Sequence, residues 1–131
     1  MTVVLDTWAL IAYLRDEPGG ERVREAWIAQ GAAICSLNLG EALYLEMRAR
    51  GIDSGGETIE EARQELRVID PDWLLVRDAA GIKSHGGLSY ADAFCIATAE
   101  RLGAPLITGD PEIIEQIGER SCEVIDLRRC I

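Results

Sequence analysis

The chain has 131 residues, 48% of them hydrophobic and 27% charged, which describes one globular domain long enough to bury a core. Its 23 acidic and 13 basic residues leave a net charge of −10, which favours solubility and opposes nucleic acid unless divalent cations or a local arginine patch intervene. The apolar opening "VVLDTWALIAYL" is interrupted by Asp6 and follows no basic residue, so it reads as neither signal peptide nor membrane span, and a cytoplasmic location is expected.

"TVVL" predicts a buried strand, followed by an apolar helix over residues 7–14 and a break at "EPGG". A second helix is expected over 21–30, with Val23, Ala26, Trp27 and Ile28 on its apolar positions, and "AAIC" is a second strand. "LNLGEALYLEMRARG" predicts a third helix that stops at Gly51, and "DSGG" predicts a turn. "ETIEEARQELRVI" is a helix passing into a short strand near 68–70. The segment from Asp72 is helical to about Ser84, and "SYADAFCIATAERLG" is a helix ending at Gly103. "PLIT", "PEIIEQIG" and "CEVIDL" complete the chain as strand, helix and strand. This alternation predicts an α/β fold over residues 1–131: a central, mostly parallel sheet of about five short strands with helices on both faces. Ligands of such sheets bind beyond the carboxyl ends of the strands.

Four carboxylates fall near those ends. Asp6 follows the first strand and Asp110 follows "PLIT"; Glu41 lies three residues after Asn38, and Asp92 three after Ser89. Each has a local explanation, because Asp6 and Asp110 suit helix caps while Asn38…Glu41 and Ser89…Asp92 resemble capping boxes. Together they suggest more. Four carboxylates in one pocket repel one another unless cations sit between them, and oxygen ligands without His or Cys point to Mg²⁺ or Mn²⁺. Such a site suits phosphodiester hydrolysis.

The segments "VVLDTWALIAYL", "LNLGEALYLEM", "LSYADAFCIATAERLGAPLITGDPEI" and "VIDL" together resemble a PIN domain, in particular the VapC-like toxin ribonucleases. The resemblance spans nearly the whole chain; residues 53–87 carry no signature of their own. It implies a three-layer PIN-like fold and a metal-dependent endoribonuclease acting as a toxin. Asp6, Glu41, Asp92 and Asp110 match the family's acidic quartet for Mg²⁺ or Mn²⁺, and Thr7 and Thr108 match hydroxyl positions beside it. The family often carries a further acidic or amide residue after the last Asp, for which Glu112 and Glu115 are the candidates. An RNA substrate, a VapB-like antitoxin partner and a homodimer are further implications, with no membrane. The alternatives are a PIN nuclease of RNA processing or an inactive module that keeps the fold.

Other residues have simpler explanations. His85 lies in "KSHGG" and is expected on an exposed loop. Arg48 and Arg50 suit the end of the third helix, and with Arg15 are candidates for RNA backbone contacts. Trp8, Trp27 and Trp73 are expected in core or dimer packing, with Trp8 notable for its closeness to Asp6. Cys35, Cys95, Cys122 and Cys130 form no C-x-x-C pair and are expected as reduced thiols. A receiver domain needs a lysine after a late strand, but Lys83 follows a predicted helix. A haloacid-dehalogenase-like phosphatase needs D-x-D, where this chain has Asp6-Thr7-Trp8.

Overall fold

The computed structural model of the chain describes residues 2–117 and 122–130. In order, the elements are β1 (Val3–Leu5), α1 (Thr7–Leu14), α2 (Gly20–Gln30), β2 (Ala32–Cys35), α3 (Ser36–Arg50), α4 (Ile52–Gln64) and β3 (Arg67–Ile69). They continue with α5 (Trp73–Ser84), α6 (Tyr90–Leu102), β4 (Leu106–Thr108), α7 (Pro111–Ile117), β5 (Val124–Asp126) and a 3-10 turn, Leu127–Cys130.

The five strands form one parallel sheet in the order β3-β2-β1-β4-β5, with Val4 opposite both Ala33 and Leu106. The inner strands β1, β2 and β4 are buried along their whole length, which is why they read as continuous apolar runs rather than alternating ones. Alternate residues of β1 serve opposite faces. Val3 and Leu5 join a core with Leu10, Val23, Leu39 and Ile59 of α1 to α4, and Val4 joins one with Leu75, Phe94, Ile96 and Ile113 of α5 to α7. The helices therefore cover both faces, giving three layers. From β1 the chain builds outward through β2 and β3, then returns to add β4 on the other side of β1. The order reverses between β1 and β4, and a crevice opens beyond their carboxyl ends.

Two local expectations are corrected. "DSGG" is not a turn but lies inside α4. The break between α3 and α4 is made by Gly51 alone, at φ 92°. Gly55 is buried where α4 crosses α3, and a Cβ there would fall 2.5 Å from the Met47 backbone nitrogen, so the glycine lets two helices touch. Nor is Asn38 a cap. α3 begins at Ser36 after Cys35, without a side-chain cap, and Asn38 is buried in its first turn with Nδ2 donating to the Ala91 carbonyl of α6 at 3.0 Å.

Of the tryptophans expected in core or dimer packing, Trp27 packs against the core and Trp73 does not. Trp27 is half-buried, packs on Tyr13 with ring centroids 5.1 Å apart and donates to the Glu65 carbonyl. Trp73 is 72% exposed and outside the core, as is Ile28 of α2. Cys35 and Cys95 are buried free thiols, and Cys122 is half-buried; the side chain of Cys130 lies outside the described residues, as does Gly118. His85 is exposed at the end of α5, its Nδ1 2.9 Å from the Gly81 carbonyl oxygen. Among the described residues no helix is long and apolar enough to cross a membrane.

Candidate active site

A cleft of about 420 Å³ lies at the β1/β4 reversal, lined by Asp6, Thr7, Trp8, Glu41, Asp92 and Asp110, with Ser89 and Glu112 at its rim. The four carboxylates singled out in the sequence thus come together from four elements. Asp6 comes from the end of β1, Glu41 from the second turn of α3, Asp92 from the first turn of α6 and Asp110 from the junction of β4 and α7. A second groove, of about 440 Å³, is lined by Tyr13, Trp27, Ile28 and Ala62 among others and contains none of the predicted site residues.

Local hydrogen bonds fix three of these side chains. Asp6 is the N-cap of α1, its Oδ1 accepting from the Ala9 backbone N–H at 2.7 Å, while Oδ2 accepts from the Thr108 hydroxyl. The same Thr108 oxygen accepts from the Asp110 backbone N–H at 3.0 Å, so one buried threonine ties the ends of β1 and β4 together. Asp110 Oδ1 accepts from the Glu112 backbone N–H at 2.9 Å. Ser89 and Asp92 form the expected capping box on α6. Thr7 is buried, and its hydroxyl donates to the Asn38 carbonyl at 3.2 Å, joining α1 to α3 beside Glu41.

The electrostatics follow from this crowding. Burial pushes the Asp6 carboxyl up to about 7, against the Thr108 and Ala9 hydrogen bonds, and the charges of Asp110 and Asp92 add to the rise. Asp92 is raised as well, first by burial and then by Asp110 and Glu41, with the Ser89 hydrogen bonds opposing. One carboxylate oxygen each from Asp92, Asp110 and Glu112 lies within 4.8 Å of the others. These three residues could hold a hard cation between them, with Asp6 and Glu41 on the same cleft. Glu115 is exposed and stands outside that group, which separates the two candidates for a further acid.

The arginines divide. Arg15 lines the cleft, Arg50 is outside the cleft lining, and both pair with Glu46, whose side chain is fully buried. Arg48 is exposed on the last turn of α3, outside the cleft lining. Trp8 is in neither core nor flat surface: at 37% exposure it lines the cleft, its ring so close over Gly109 that a Cβ there would fall 2.4 Å from it. Sequence reasoning missed Glu46 and the structural role of Asn38. A glutamate four residues before Arg50 was the available signal for the first; the second depends on a contact 53 residues away.

The PIN domain family profile matches residues 3–119 of this chain. No curated protein matches it in sequence. Among solved structures it is similar to DNA-bound VapBC from Salmonella typhimurium, at TM-score 0.78 and 19% identity over 97% of this chain and 98% of that one. A toxin–antitoxin complex from Klebsiella pneumoniae gives TM-score 0.76 and 18% identity over 95% and 97% of the two chains. Mycobacterium tuberculosis VapC20, described as a sarcin-ricin loop cleaving toxin, gives TM-score 0.71 and 16% identity over 86% and 93%.

Proposed function

Because this chain belongs to the PIN domain family, we propose that it is a Mg²⁺- or Mn²⁺-dependent endoribonuclease, the toxin of a toxin–antitoxin pair. The observation that carries this is the convergence of Asp92, Asp110 and Glu112 oxygens within 4.8 Å, on a cleft shared with Asp6 and Glu41. An all-carboxylate donor set suits a hard divalent ion rather than zinc or copper. Like charges packed this closely, with Asp6 pushed toward its neutral form, make a site that gains most from a cation. The fit is good.

In this reading Asp92, Asp110 and Glu112 hold the ion, with Asp6 and Glu41 completing the donor set. What the cation supplies, once bound, is charge neutralisation at a phosphodiester oxygen and a lowered pKa for water. The protein's own part is orientation. The α1 cap and the Thr108 hydroxyl hold both oxygens of Asp6, the Ser89 capping box fixes Asp92, and the Glu112 N–H aims Asp110. Trp8 and Ile11 give the cleft an apolar wall against which an RNA strand can lie.

The structural relatives described as VapBC or toxin–antitoxin complexes support an antitoxin partner. A pocket of carboxylates is a good receptor for an arginine or lysine from such a partner, which would block cation and RNA together. Leu37, Tyr44, Trp73, Leu74 and Tyr90 are exposed on α3, α5 and α6, and support pairing with a second copy.

The test is cleavage of end-labelled RNA in Mg²⁺ or Mn²⁺ by the purified protein, beside Asp92→Asn and Glu41→Gln. Internal cuts by the wild type, lost in both folded variants, are expected. Wild-type rates in both variants would refute the site.

A further inference from the structure

Glu46 is the one charged side chain among the described residues with no exposure at all, and the catalytic assignment above gives it no role. Its Oε1 accepts from Arg15 Nε at 2.8 Å and its Oε2 from Arg50 Nε, while an Arg50 terminal nitrogen donates to the Leu14 carbonyl at 3.4 Å. One carboxylate thus organises two guanidinium groups, and the three side chains together carry +1, with the acidic Glu17 beside Arg15 on the cleft lining. A buried ion pair is a poor way to join α1 to α3 for stability alone, because well-packed apolar residues do that as well or better. What it does provide is direction. With Nε committed to Glu46, the terminal nitrogens of Arg15, on a side chain one-third exposed, have no partner among the described residues.

The cleft supplies the target. Besides the site carboxylates its lining includes Ile11, Leu45, Glu17 and Arg15, and Arg15 is the one basic side chain among them. Glu41, Leu45 and Arg48 recur at helical spacing on α3, so Arg48 extends the same face beyond the cleft lining. A nucleic acid strand laid along this cleft would meet acids and cation at the phosphate being cut and a fixed guanidinium at a neighbouring one. We propose that Glu46 is a positioning residue that aims Arg15 at an RNA phosphate flanking the scissile one. The proposal rests on the ribonuclease function above.

The test is steady-state cleavage of a short single-stranded RNA in Mg²⁺ at several KCl concentrations, by wild type, Glu46→Gln, Arg15→Gln and the double variant. Each single variant is expected to raise KM about tenfold, as loss of one charge-assisted contact does, with kcat nearly unchanged. The slope of log(kcat/KM) against log[salt] should fall by about 0.7, one single-strand phosphate contact. The double variant should be no worse than either single one. A purely structural Glu46 would lower Tm and leave KM and the salt slope alone; a folded Glu46→Gln behaving so overturns the proposal. Should Glu46→Gln not fold, Glu46→Asp keeps the charge but withdraws it by one methylene, and wild-type KM and salt slope in that variant also overturn it. A wild type that fails to cleave RNA in Mg²⁺ would instead strike the ribonuclease function itself.

Discussion

Asp6, Asp92 and Asp110 each hold a backbone N–H of their own helix and face the cleft at the same time. Capping and ligation are therefore not rival roles, and a substitution must be chosen to separate them. Asn caps about as well as Asp but removes the charge that holds a cation. Asp110→Asn should fold, melt no lower than wild type in chelator and cleave no RNA; Asp110→Ala should in addition lose about 1 kcal/mol of stability. A folded Asp110→Asn protein cutting at the wild-type rate would return the residue to capping alone. Asp6 gives a pH signature. Its pKa rises from 3.8 unfolded to about 7 folded, so the folded state keeps a proton that the unfolded chain releases. The stabilisation is fully present below 3.8 and is lost as pH rises through about 7. Thermal melts of the metal-free protein should fall between pH 5.5 and 8, and Asp6→Asn should flatten that fall; an unchanged slope would contradict the burial argument. Asp6, Asp92 and Asp110 were legible because each sits at a strand end or helix start that the local pattern marks. Asn38 was misread because its side chain chose the Ala91 carbonyl over its own helix, a choice no local pattern encodes.

At the scale of elements, the alternation of strands and helices was legible throughout, and the bounds of α1 and the end of α5 matched expectation, while α5 starts one residue later because Asp72 caps it. The failure at "DSGG" is instructive. Gly55 and Gly56 have the composition of a turn, yet both are helical, because the crossing of α3 over α4 rewards a missing Cβ at one of them. The two glycines should therefore respond oppositely to alanine. At Gly55 the new Cβ meets Glu46 and Met47 backbone at 2.5–2.6 Å, and overpacking should cost about 1–3 kcal/mol despite better helix propensity. At Gly56 it meets only the flexible end of Met47 at 3.8 Å, so alanine should stabilise by up to about 1 kcal/mol. Chemical denaturation of both variants checks this. Equal effects would mean that the α3/α4 crossing is looser than described.

The whole molecule sets a problem that its charge makes plain. At −10 it repels RNA at long range, so the proposed RNA binding would have to rest on short-range features: a cation among the carboxylates and Arg15 on the cleft lining. Composition revealed the problem, and only the fold brings Arg15 and the acids onto one cleft. Divalent ions should then be needed for binding as well as chemistry, since without them RNA meets a pocket of negative charge. The most direct measurement is cleavage of labelled RNA by one protein sample in Mg²⁺, after chelation with EDTA, and after Mn²⁺ is restored in excess. Cleavage that stops with the chelator and returns with the metal is the predicted result. Cleavage that persists unchanged in EDTA would contradict the account.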